Sequence, residues 1–165
     1  WKLEIGNWKF IGTDLSRSAL TLARRNARRH GLEKNITFLH GNLLEPMLKT
    51  KQLSNLTTKQ LIITANLPYL PTSEWQQTPL DVRRYEPREA LDGGPDGLRY
   101  YRVFFEQLIT LYTLHFTLCT FLEICPHQAG ALTKLARKFF PKSTVRIKKD
   151  LSGRKRLAEI FLKQG

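Results

Sequence analysis

Only two cysteines occur among the 165 residues, Cys119 and Cys125. Both sit in an apolar stretch, so they read as buried free thiols of a reducing cytoplasm, not as a disulfide or a metal pair. His30, His40, His115 and His127 show no ligand spacing with one another or with the cysteines, so no metal is expected. No run of eighteen apolar residues exists, which excludes a membrane-spanning helix. Internal repeats and low-complexity tracts are absent as well. The chain opens on Trp1 instead of Met and carries no signal-peptide pattern, which suggests a fragment. Acidic residues are scarce: 14 Asp and Glu stand against 27 Lys and Arg, giving a net charge of +13. That excess points to an acidic partner, whether RNA, DNA or a nucleic-acid-bound protein, although a basic surface also serves solubility.

At this length one domain, 1–165, is expected, and a 41% apolar content suffices for a core. Trp1 to Asn7 resists assignment. Lys9-Phe10-Ile11-Gly12-Thr13 reads as a strand ending in Asp14. Ser16 is a plausible N-cap for a helix through His30, with Ala19, Leu20, Ala23 and Ala27 on its apolar face and Gly31 as its stop. Asn35 to His40 is the next strand, followed by Gly41-Asn42 and a mostly polar loop from Lys49 to Gln60.

Leu61-Ile62-Ile63-Thr64 is short, apolar and β-branched, the pattern of a buried strand. It runs into Ala65-Asn66-Leu67-Pro68-Tyr69, which cannot continue it. Pro68 has no amide hydrogen and holds Leu67 extended. The chain must stop at the carboxyl edge of a sheet, where open α/β sheets bind ligands. Asn66 can donate and accept hydrogen bonds at once, and Tyr69 offers a flat aromatic face. Plain turn chemistry also accounts for an Asn-x-Pro run.

From Pro71 to Pro95 little regular structure is expected, because four prolines and the Gly93-Gly94 pair interrupt it; a loop of this length is usually functional. Glu86 and Arg88 in it could pair, hold the loop down or meet substrate. Asp96 to His115 reads as a helix whose stripe of Leu98, Tyr101, Phe105, Leu108, Ile109 and Tyr112 is core. A buried strand over 116–124 follows, with Glu123 near its end. A helix from Pro126 to Phe140 and strands over 144–148 and 156–162, a hairpin about Ser152-Gly153, complete the order βαββαβαββ.

Asn66-Leu67-Pro68-Tyr69 together with Tyr85-Glu86-Pro87-Arg88 and Gly93-Gly94-Pro95-Asp96-Gly97-Leu98 resembles the HemK/PrmC family, S-adenosylmethionine-dependent methyltransferases that modify glutamine in peptide release factors. The resemblance runs from about Phe10 to the end. Leu67 departs from it, standing where the family usually has Pro. The resemblance implies an α/β fold, the Rossmann-like sheet of class I methyltransferases with a C-terminal antiparallel hairpin. It also implies S-adenosylmethionine as cofactor and a release factor, at its Gly-Gly-Gln motif, as protein substrate. Asp14 falls at the family's ribose-binding acid, though an acid there also suits a helix start. Asn42 falls where the family touches the adenine amino group, though Asn beside Gly also makes Asx turns.

The family's first strand and glycine-rich turn have no counterpart, since Gly6 and Gly12 are isolated. The chain therefore reads as a fragment or a degraded copy. In the active reading, Asn66 and the Leu67 carbonyl grip the substrate amide, with Pro68 shaping the turn and Tyr69 packing on the reacting group. Two rivals stand beside it. One is a DNA or RNA adenine-amino methyltransferase, favoured by the charge; the other is an inactive truncated remnant. Contact with ribosomal or other RNA is a further expectation from the basic surface.

Overall fold

Ser16 accepts a hydrogen bond from the Ala19 amide at 3.1 Å through its hydroxyl, and helix α1 (Arg17–Arg29) starts there. The computed structural model that shows this describes residues 9–50 and 60–163. Trp1 to Asn7 and most of the expected polar loop, residues 51–59, lie outside the described residues. The chain divides into two units, Trp1–Leu56 and Thr57–Gly165.

In the first unit, strand β1 (Phe10–Asp14) pairs in parallel with β2 (Ile36–His40), in register from Phe10 opposite Ile36 to Asp14 opposite His40. Helix α1 makes the crossover between them. Arg28 and Arg29 occupy its last turn, where cations complement the helix dipole. Leu20 and Ala27 are buried, Ala23 is half-buried, and Ala19, expected on the apolar face, is exposed. A short helix α2 (Glu45–Leu48), missed in the sequence, buries Met47.

The second unit carries a four-stranded sheet. Strand β3 (Gln60–Ala65) runs parallel to β4 (Thr117–Glu123). Strand β6 (Lys155–Leu162) lies antiparallel to β4, and β5 (Thr144–Lys149) antiparallel to β6, so the order is β3-β4-β6-β5. Alternation decides the faces. Leu118, Thr120 and Leu122 of β4 share a buried face with Ala158, Ile160 and Leu162 of β6. The last three helices of the unit follow the expected pattern only in part. Helix α6 (Arg99–Thr113) buries Tyr101, Phe104, Phe105, Leu108 and Leu111, whereas Ile109 faces outward. A 3-10 turn (Pro126–Gln128) leads into α7 (Ala129–Phe139), and Phe139 meets Phe105 at 5.8 Å between ring centroids.

The stretch Pro71 to Pro95 corrects the expectation of little regular structure. It holds three short helices, α3 (Thr72–Gln76), α4 (Leu80–Tyr85) and α5 (Arg88–Leu91). Each begins directly after a proline: Pro71, Pro79 or Pro87. A fixed φ near −60° and a missing N–H cost nothing at a helix entrance, so prolines that end one turn start the next. Among the described residues no helix is long and apolar enough to cross a membrane.

Candidate functional site

Strands β3 and β4 end side by side, with Ala65 opposite Leu122. Beyond Ala65 the chain leaves the ladder at Asn66, as the proline two residues on requires. Asn66 is exposed, Leu67 is buried, and Pro68 and Tyr69 are half-buried. Leu67 anchors the turn in the apolar interior while the amide of Asn66 stays accessible.

The turn lies on a bed made by the Gly93–Gly97 segment. Leu70 bridges Asp92, its N–H donating to Leu91 O at 2.9 Å and its carbonyl accepting from Gly93 N at 2.8 Å. A Cβ at Gly93 would stand 2.5 Å from the Pro68 carbonyl oxygen. At Gly97, where φ is +69°, it would stand 2.2 Å from both the Tyr69 carbonyl oxygen and Gln128 Nε2. Backbone touches backbone here, which only glycine permits. The two sequence motifs are thus two layers of one structure.

Gln128 joins the layers. It is 2% exposed. Its Nε2 donates to Tyr69 O at 2.7 Å and to Asp96 O at 3.5 Å, and its Oε1 accepts from Cys125 N at 3.1 Å. The Tyr69 hydroxyl donates to Glu123 Oε1 at 3.2 Å. Burial first, and the Glu123 carboxylate next, push the Tyr69 phenol upward, so it stays neutral. Tyr101 donates its hydroxyl to the Glu123 carbonyl at 2.5 Å, and burial pushes its phenol up strongly.

Arg88, left open between pairing with Glu86, holding the loop and meeting substrate, does the second. Its Nε donates to Asp92 Oδ2 at 2.9 Å, and its guanidinium lies 4.3 Å from the centroid of the Trp75 ring. Asp92 also accepts from Thr72 Oγ1 at 2.7 Å and from Gly94 N at 3.0 Å. Burial raises its carboxyl, but these three donors together hold it below the usual carboxylate range. Sequence reasoning missed Gln128, Asp92, Gly93 and Gly97 as parts of the site. The two glycines stood inside a quoted motif, whereas Gln128 carried no signal.

The first unit carries the other two expected residues at the carboxyl ends of its strands. Asp14 is exposed; its Oδ1 accepts from Ser16 N at 2.6 Å, the contact of a helix start. Gly41 N donates to the Asp14 carbonyl at 3.0 Å, so the loop bearing Asn42 adjoins Asp14. Asn42 Oδ1 is buried with no hydrogen-bond partner among the described residues. A buried acceptor left open is costly and calls for a donor. The two groups, one carboxylate and one amide acceptor, suit a ligand rich in hydroxyl and amino hydrogens. Glu74, Cys125 and His127 of the second unit bring their donor atoms within 4.8 Å of one another, although their spacing had suggested no metal group.

No family model matches the chain. A release factor glutamine methyltransferase of Enterococcus faecalis is 36% identical over 157 residues, covering 95% of this chain and 52% of that protein. The protein of the same name from Moorella thermoacetica is 40% identical over 148 residues, covering 90% of this chain and 48% of its own length. The chain spans about half the length of the curated relatives it matches. A human methyltransferase 10 domain containing protein superposes with a TM-score of 0.53 at 13% identity, over 96% of this chain and 62% of that one. The fold is that of the Rossmann-like methyltransferases, as the motifs implied.

Proposed function

Starting from a chain that is a relative of the release factor glutamine methyltransferases, we propose that it carries the methyl-accepting half, and part of the cofactor-binding half, of an S-adenosylmethionine-dependent glutamine methyltransferase. The observation that carries this reading is the exposed Asn66 amide at the carboxyl edge of β3, on a backbone clamped by Gly93, Gly97 and Gln128. An amide nitrogen is a poor nucleophile because its lone pair is delocalised, so positioning must do most of the work. Asn66 Oδ1 and the Leu67 carbonyl accept the hydrogens of the substrate amide and fix its plane. Pro68 keeps that carbonyl out of the β ladder. The Tyr69 ring packs against the amide, and its hydroxyl, engaged by Glu123, stays out of the proton chemistry. Leu67 in place of the family's Pro retains the carbonyl.

Asp14 and Asn42 are the residues that would hold the cofactor, Asp14 by the ribose hydroxyls and Asn42 Oδ1 by the adenine amino group; the open acceptor on Asn42 fits such a donor. Bound S-adenosylmethionine supplies an electrophilic methyl group. Both units belong, in this reading, to one catalytic domain. The substrate is a release factor presenting Gly-Gly-Gln. The exposed arginines of α1, Arg17, Arg24, Arg25, Arg28 and Arg29, suit a partner that works beside RNA.

The test is calorimetric titration of S-adenosylmethionine into the 165-residue chain and into one of its relatives' length, followed by mass spectrometry of a Gly-Gly-Gln peptide. Binding by the longer chain and a mass gain of one methyl group on the peptide glutamine are expected. Asn66→Ala should lower transfer by about a hundredfold or more with binding kept, and Asp14→Ala should weaken binding instead. Methylation of single-stranded nucleic acid with none of the peptide would move the reading to an adenine-amino methyltransferase. No cofactor binding by either folded chain would leave an inactive remnant.

A further inference from the structure

At the end of β4 the chain turns through Cys125-Pro126-His127, and Glu74 of α3 faces this turn. The donor atoms of the three side chains, an oxygen, a sulfur and a nitrogen, lie within 4.8 Å of one another. His127 Nε2 stands 3.5 Å from Glu74 Oε1. Among the described residues, none of the three side chains hydrogen-bonds to the Asn66 turn. The backbones that carry them are fixed. Cys125 N donates to Gln128 Oε1, and Gln128 N donates to the Cys125 carbonyl at 3.0 Å. On the other side, Thr72 N donates to the Gly94 carbonyl at 2.9 Å, and the Thr72 hydroxyl donates to Asp92. Cys125 is 9% exposed, whereas the side chains of His127 and Glu74 are 52% and 47% exposed. The inner donor is therefore sequestered, and the two outer ones are half-exposed to solvent.

We propose that Glu74, Cys125 and His127 form a site for a divalent transition metal of the zinc class, which clasps α3 to the turn that opens α7. Thiolate, imidazole and carboxylate are the three side-chain donors Zn²⁺ uses, and three protein ligands with a fourth, solvent-facing position is a common arrangement. Sulfur and imidazole disfavour Mg²⁺ and Ca²⁺, which demand oxygen. A tetrahedral shell sets sulfur and nitrogen donors roughly 3.5 Å apart, so small rotations of Glu74 and His127 close the present spread. Without a metal, burial first and the Glu74 carboxylate next push the Cys125 thiol up. A cation between them reverses that preference; the thiol proton leaves to solvent as the metal–sulfur bond forms. The clasp also bears on the Asn66 turn, because Gln128, braced by Cys125, holds the Tyr69 carbonyl.

Titration of the 165-residue chain with Co²⁺, read by absorption, tests this. One equivalent should give a thiolate-to-cobalt charge-transfer band in the near ultraviolet and visible bands of tetrahedral intensity. Zn²⁺ should displace it, and Mg²⁺ should not. Cys125→Ser should remove the charge-transfer band and Cys119→Ser should leave it. Glu74→Gln and His127→Gln, at half-exposed positions that keep the fold, should each weaken binding roughly tenfold or more. The absence of a saturable band overturns the proposal. So does a band that survives Cys125→Ser, or affinity unchanged in both outer variants.

Discussion

In the unit Thr57–Gly165, Tyr101, Phe105, Leu108, Leu118, Leu122, Leu132 and Ile160 have essentially no exposure. In the unit Trp1–Leu56, the buried apolar side chains among the described residues are Leu20, Ala27, Leu44 and Met47, and the strand residues of β1 and β2 are half-buried or exposed. Among the described residues, the first of these scaffolds has four strands and two long helices, and the other has two strands and one long helix. Two strands and one long helix bury less apolar surface than four strands and two long helices. The comparison teaches that the Asn66 turn and the Asp14–Asn42 pair rest on unequal foundations. The turn at Asn66 is fixed by backbone-to-backbone contact and a buried glutamine. We expect the unit that carries Asp14 and Asn42 to open at lower free energy, which paired truncations test.

The comparison breaks most visibly at Gly97. Gly97→Ala forces a Cβ into the Tyr69 carbonyl from a left-handed backbone, and neither neighbour is a free side-chain end. We expect a loss of about 4 kcal/mol, read by denaturant unfolding. A paired truncation comes next. Leu108→Ala, at a site without exposure, should cost about 3 kcal/mol. Leu20→Ala in α1 should cost less, about 2 kcal/mol, the low end for a buried leucine. Equal costs would contradict the asymmetry.

The smallest effect concerns Asp92. Burial raises its carboxyl, yet the donors from Thr72, Gly94 and Arg88 prevail and hold it below the ordinary range. A carboxylate lowered in the folded state contributes stability above its unfolded pKa, and that contribution is lost as pH falls through the folded value. Asp92→Asn should therefore flatten the fall in thermal midpoint on acidification below about pH 5. Part of the slope should remain, because Asp96, lowered chiefly by its hydrogen bond with Arg102, titrates in the same direction.

What could be read from the sequence was the local periodicity. Alternation and β-branching marked the six strands of the described residues to within a residue or two, and Ser16, Gly31 and Pro68 marked where elements start or stop. What could not be read was contact without a chemical signature. The fit of Gly93 and Gly97 under Pro68 and Tyr69 is backbone on backbone across more than twenty residues, and no side-chain pattern announces it. The bond from Tyr69 to Glu123 joins residues 54 positions apart, with α3, α4, α5 and α6 between them. Ala19 was assigned inward by spacing alone, yet it is exposed. The three short helices were hidden by counting prolines as breakers, when each proline of the run opens a turn.

The neck at Leu70 and Asp92 separates what it carries from what it closes. Between the two lie α3, α4 and α5, and from Pro79 to Ala90 all residues but the half-buried Val82 are exposed, with Leu80 and Tyr85 about three-quarters so. Leu70 is bonded to both Leu91 and Gly93, and Thr72 and Arg88 brace Asp92, so the neck is pinned at its base, below the exposed stretch from Pro79 to Ala90. Evolution, or a protein engineer, can lengthen, shorten or exchange that excursion and so change which surface is greeted, while the chemistry below keeps its shape.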